Sequence, residues 1–215
     1  MLQASDLIRN LQAGHPQKIV VYGTSLTENG QWPNDLSAWL SGLHPGKVTL
    51  INSGLSGKAS NTALANLQAK VIAHAPDVVI IEFAVNDAFT AYTPADLDLG
   101  ITPEKSQANL NRMIDAILKA KPGTEIILQT MNPAWDAPNG NKSASKRPDL
   151  AAYYEGYRKV ASSRHLLLID HYANWNRLRT TNPALFQSHI PDGVHPTPAA
   201  STAVTFPEIK KVLTK

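Results

Sequence analysis

The sequence predicts an α/β protein, a three-layer α/β/α sandwich built around five parallel strands. Three observations carry that reading. Five short runs rich in Val, Ile and Leu recur at 18–22, 48–52, 77–84, 125–130 and 166–170. The third is the most apolar, as suits a strand covered on both faces. Between the runs lie stretches with helical spacing, long enough for right-handed crossovers between parallel strands. No repeat or linker divides the 215 residues, so one domain, 1–215, is expected.

Each element has its own signal. Residues 5–13 read as a capped amphipathic helix stopped by Gly14 and Pro16. Leu36, Trp39, Leu40 and Leu43 form one face of a helix over 32–43, with Pro33 suited to its first turn. A Gly- and Ser-rich turn at 53–60 leads to a helix over about 61–74. After a loop at 88–101, Leu110, Met113, Ile114, Ile117 and Leu118 mark the buried stripe of a helix over about 103–120. The segment 132–148 is dominated by Pro, Gly, Asn, Ser and Lys and reads as a long functional or mobile loop. Helices are expected at about 150–162, at about 174–179 and from 198 onward, with a loop at 188–197.

Composition narrows the function. A chain that is 43% hydrophobic and 17% charged can bury a core and is not disordered. Its net charge of +3 comes from scattered Lys and Arg, which points away from a nucleic-acid partner. With no cysteine, it forms neither disulfides nor thiolate metal sites. No apolar run approaches the roughly 20 residues that span a bilayer. The first residues lack the basic and apolar regions of a signal peptide. That fits a cytoplasmic protein as written, or a periplasmic or secreted one if a leader has been removed.

The chemistry lies at the strand ends. Gly23-Thr24-Ser25 follows the first strand, Ser56-Gly57 the second, and Asn86-Asp87 the third. In a doubly wound sheet those ends converge on one crevice. Near the C-terminus, Pro191-Asp192-Gly193-Val194-His195-Pro196 places an Asp and a His three residues apart. The Asp can fix the imidazole while the opposite ring nitrogen faces a serine hydroxyl. Ser25 is therefore the candidate nucleophile, His195 the base and Asp192 the orienting acid. The backbone N–H groups of Ser25 and Gly57 and the Asn86 amide would supply three oxyanion donors. Asp87 is expected to support its loop, and Asn52 to bond local backbone. Thr24, Trp135 and Val194 are candidate substrate contacts; for Trp135, anchoring its own loop is an equal alternative. Asp96, Asp98 and Asp136 lack convergent spacing, read as solvated carboxylates, and give no metal site.

Four segments in order resemble the SGNH hydrolases, also called the GDSL esterase/lipase family. They are Gly23-Thr24-Ser25-Leu26-Thr27, Asn52-Ser53-Gly54-Leu55-Ser56-Gly57, Val85-Asn86-Asp87 and Asp192-Gly193-Val194-His195-Pro196. The resemblance implies a flavodoxin-like sandwich with strand order 2-1-3-4-5. It also implies a Ser25–His195–Asp192 triad with Gly57 and Asn86 in the oxyanion hole, and no cofactor. Two positions depart from the family pattern. Thr24 replaces the usual Asp, and Ala84 the usual Gly, where its methyl is expected to narrow the pocket.

The function expected is a serine esterase acting through an acyl-enzyme on short-chain esters, foremost a carbohydrate O-acetylesterase taking a small-molecule or oligosaccharide ester. The alternatives are a lysophospholipase, thioesterase or arylesterase with a longer acyl or aryl group, and, from another class, a non-catalytic carbohydrate-binding protein.

Overall fold

The computed structural model describes residues 5–215. Its centre is a five-stranded parallel sheet in the order β2-β1-β3-β4-β5. The strands are β1 (Gln17–Gly23), β2 (Val48–Asn52), β3 (Val78–Glu82), β4 (Glu125–Thr130) and β5 (Leu167–Asp170). β1 pairs with β2 from Gln17↔Val48 and with β3 from Ile19↔Val78, so three strand ends finish side by side. Every residue of β3 is buried, as its composition predicts, while β2 at the sheet edge is only partly covered.

The connecting helices begin with α1 (Asp6–Gln12), α2 (Ser25–Glu28), α3 (Trp32–Leu43), α4 (Ser60–Lys70) and α5 (Ala84–Asp87). They continue with α6 (Pro103–Ala120), α7 (Leu150–Arg164), α8 (His171–Thr181), α9 (Pro183–His189), α10 (Pro198–Ala200) and α11 (Phe206–Leu213). α1, α3 and α11 cover one face of the sheet; α4, α6 and α7 cover the other. Ser5 caps α1, and the Glu125 carboxylate accepts the next two amides, Asp6 N–H at 2.9 Å and Leu7 N–H at 2.7 Å. A carboxylate at a helix N-terminus satisfies orphan donors and opposes the positive end of the dipole. None of these helices is long and apolar enough to cross a membrane.

The structure departs from the sequence reading in three places. Extended structure ends at Glu82, and Ala84–Asp87 coils into a helical turn in which Phe83 C=O accepts the amides of Asn86 and Asp87. The helix expected at 174–179 runs from His171 to Thr181, and a further one, Pro183–His189, follows it. Asn182 caps the second by accepting Leu185 N–H, and Pro183 starts it with a preset φ. The last helix is interrupted by a π-helical turn over Ser201–Thr205.

Candidate active site

Ser25 opens α2 directly after β1, so its hydroxyl stands at the carboxyl edge of the sheet. The turn is fastened from below by Glu82, whose carboxylate accepts Thr24 N–H at 2.7 Å, the Thr24 hydroxyl at 3.0 Å and the Thr27 hydroxyl at 2.7 Å. Burial pushes the Glu82 carboxyl up to about 7, against the pull of those donors. Gly23 makes the approach possible, because a Cβ there would lie 2.2 Å from Glu82 Oε1. On the other side Asn52 Nδ2 donates to Thr27 C=O at 3.0 Å, and Glu28 accepts Ser56 N–H at 2.8 Å. These bonds tie the loop after β2 to α2. Gly54 lets the two backbones touch, since its Cβ would meet Glu28 Cα at 2.5 Å.

Ser25 and the C-terminal His meet as expected. Ser25 Oγ lies 2.8 Å from His195 Nε2, and His195 Nδ1 lies 2.6 Å from Asp192 Oδ2. With Nδ1–H donating to the carboxylate, Nε2 is left as the acceptor for the serine O–H. Asp192 Oδ1 also takes the amides of Val194 at 2.9 Å and His195 at 2.7 Å, closing a tight turn. Burial raises the Asp192 pKa, but those two amides and the imidazole outweigh it and hold the carboxyl below its usual range. Such a relay can remove a hydroxyl proton as the oxygen attacks a carbonyl, and later return it.

Two clefts open on either side of this pair. One, of about 260 Å³, has Leu26, Trp32, Met131 and Pro196 in its wall. The other, of about 420 Å³, carries Gly57, Asn86, Phe89, Tyr92, Arg147 and Val194. The amides of Ser25 and Gly57 have no acceptor among the described residues, which leaves both available to a ligand oxygen. Gly57 is suited by its backbone, with φ +71°, and not by crowding, since a Cβ there would touch nothing within 4 Å.

Some expected contacts fall elsewhere. Thr24 is fully buried and its hydroxyl is spent on Glu82 and on Leu26 N–H, so it faces away from substrate. The Ala84 methyl joins the core, and Val85 lines the cleft instead. Trp135 lines neither cleft among the described residues. Its indole N–H donates to Ile190 C=O at 2.7 Å and its ring packs on the cluster of Trp175, Phe186, Ile190 and Ala200. Asp98 is no solvated carboxylate: it is 2% exposed and accepts Ala59 N–H and Thr62 N–H at the start of α4. Asp87 is buried and bonds Ser60 N–H and the Ser106 hydroxyl. Val194 does line the larger cleft.

The long segment 132–148 buttresses the Asp192–His195 turn. Asn132 Nδ2 donates to Val194 C=O at 2.8 Å, and Trp135 N–H donates to Gly193 C=O at 2.9 Å. Gly193 has φ +90°, and its Cβ would lie 2.2 Å from Trp135 C=O. Glu82 escaped the sequence reading, and Arg147, expected with Lys142 and Lys146 among the solvated surface cations, is instead half-buried and bonded to Val85 C=O. For Glu82 a signal was present, an acid inside an otherwise apolar strand. Arg147, in a loop of mixed polar residues, gave none.

Comparisons with known proteins give the family. The model of the GDSL-like lipase/acylhydrolase family matches residues 20–203. An arylesterase from Vibrio mimicus is 30% identical over 86% of this chain and 82% of its own. An acetylxylan esterase from Geobacillus stearothermophilus is 25% identical over 88% of this chain and 90% of its own. The crystal structure of a catalytic mutant of an acetylxylan esterase from that organism superposes with a TM-score of 0.74 at 21% identity, covering 99% of this chain and 96% of that one. With the family model spanning most of its length, the chain belongs to the GDSL-like lipase/acylhydrolase family and is a carboxylic ester hydrolase.

Proposed function

We propose that the protein is a serine esterase that removes short acyl groups, foremost acetyl, from carbohydrates. The observation that carries the catalytic part is the unbroken relay from Ser25 Oγ to His195 at 2.8 Å and on to Asp192 at 2.6 Å. Ser25 attacks the ester carbonyl as its proton passes to His195 Nε2. The oxyanion forms against the amides of Ser25 and Gly57 and the side chain of Asn86. His195 protonates the leaving alcohol, then takes a proton from water to release the acid, while Asp192 stays ionised.

The sugar assignment rests on the larger cleft, whose wall of Asn141, Ser143, Lys146 and Tyr92 suits a hydroxyl-rich alcohol. It is in keeping with the acetylxylan esterase relative. A second reading, hydrolysis of aryl esters, is favoured by the Leu26–Trp32–Met131 wall of the smaller cleft and by the arylesterase relative. Acetate release from acetylated xylooligosaccharides, measured beside phenyl acetate and nitrophenyl esters of rising chain length, separates them. A sugar acetylesterase gives its highest kcat/KM on the acetylated oligosaccharides and prefers acetate among the nitrophenyl esters. A maximum at octanoate or beyond rejects the proposal; phenyl acetate with no sugar deacetylation supports the second reading. Full function in Ser25→Ala would point to a non-catalytic binder.

A further inference from the structure

Among the described residues Arg147 has no carboxylate in direct contact; Asp192 acts on it only from beyond ion-pairing distance. Its guanidinium donates through Nε to Val85 C=O at 2.7 Å, through one terminal nitrogen to Ser143 C=O at 3.2 Å, and through the other to Asn86 Oδ1 at 3.4 Å. All three acceptors are neutral, and among the described residues no carboxylate lies within ion-pairing distance of it. Its central carbon sits over the Phe89 ring, 4.9 Å from the centroid. Holding an unpaired guanidinium in a partly buried wall is costly unless negative charge appears beside it.

The neighbour it touches is the amide expected to receive that charge. A side-chain amide has one accepting and one donating end. Arginine has only donors, so Asn86 must turn Oδ1 towards it. On the opposite end Asn86 Nδ2 donates to Lys58 C=O at 2.9 Å, using one of its two N–H bonds. The two partners together exclude the flipped amide and leave the second Nδ2–H free to face the cleft.

Building on the esterase reading above, we propose that Arg147 is the positioning residue of the oxyanion site. It holds the Asn86 amide with its donor towards the ester carbonyl and keeps positive charge next to the developing oxyanion. Because the oxyanion exists only in the transition state and the tetrahedral adduct, losing Arg147 must lower kcat more than it raises KM.

The test is Arg147→Met, assayed with nitrophenyl acetate and with an alkylboronic acid, which forms an anionic tetrahedral adduct on the active serine. Expected is a kcat loss of about ten- to a hundredfold, smaller than the ~10²–10³ lost with a direct donor. KM should stay within about threefold and boronate affinity should fall by a factor similar to kcat. In an Asn86→Ala background the same substitution should cost markedly less, because its main target is gone. A folded Arg147→Met enzyme with wild-type kcat and boronate affinity overturns the proposal, as does an equal loss in both backgrounds. Arg147→Lys, which cannot span all three acceptors, carries the same criteria if Arg147→Met melts below the assay temperature. Ser25→Ala in the same assay separates the two claims. Its inactivity beside an unaffected Arg147→Met rejects only the role of Arg147, whereas its activity rejects the site itself.

Discussion

Glu82→Gln is the perturbation that tests how the serine turn is held. In the folded protein burial raises the Glu82 carboxyl from 4.5 to about 7. Between those values the unfolded chain has released the proton and the folded chain still holds it. Wild-type stability therefore falls as pH rises through that window and levels off above about 7. At 1.36 kcal/mol per unit, the loss is about 3 kcal/mol. Glutamine is close in shape to the protonated acid and does not titrate, so the variant lacks this loss. Asp87, which burial pushes up to about 6, is present in both proteins, so its own desolvation drops out of the difference and only its repulsion of the Glu82 carboxylate is lost in the variant. For a chain of this length 1 kcal/mol moves Tm by about 2–4 °C, giving a relative gain for the variant of roughly 6–12 °C between pH 5 and pH 8. Calorimetric melts of both proteins at four pH values across that range provide the measurement. A Tm difference that stays constant from pH 5 to pH 8 would refute the idea that a buried, ionisable carboxyl fastens the turn.

Two further substitutions address the rest of the site. Asn86→Ala should lower kcat by about 10²–10³ with little change in KM, read from steady-state kinetics on nitrophenyl acetate; an unchanged kcat removes Asn86 from the oxyanion site. Gly193→Ala puts a Cβ 2.2 Å from Trp135 C=O at a residue with φ +90°. It should cost about 2 kcal/mol or more in urea unfolding and at least about a tenfold loss of kcat, because the Asp192–His195 turn must move. Wild-type stability and rate would show that the turn does not depend on this close contact.

Much of this was legible in the residues before any fold was known. The five apolar runs and their spacing predict the sheet, because a strand buried on both faces must be apolar along its length. Ser25, Asp192 and His195 could be proposed together, although His74 and His189 also lie three residues from an Asp; the Asp192-Gly193-Val194-His195-Pro196 segment and its place among the four SGNH-like segments singled out His195. Thr24 was misplaced because a hydroxyl next to the serine reads equally well as facing substrate or core. Only Glu82, which is 58 residues away and bonded to it, decides between them. Trp135 and the 132–148 segment were ambiguous for the same reason. Their anchors, Ile190, Gly193 and Val194, lie over 50 residues further on, and periodicity is blind to contacts at that range. The expected pocket role of Ala84 failed because the chain coils after Glu82 and turns the methyl inward.

The central claim is that the Ser25 hydroxyl is the group acylated during turnover. The most direct measurement is stoichiometric labelling with a fluorophosphonate, followed by peptide mapping and residual esterase assay. The account predicts one label per chain, on Ser25, with activity falling in proportion to labelling and no label in Ser25→Ala. Full activity in a completely labelled protein, or a label on any other residue that tracks the loss of activity, would contradict it.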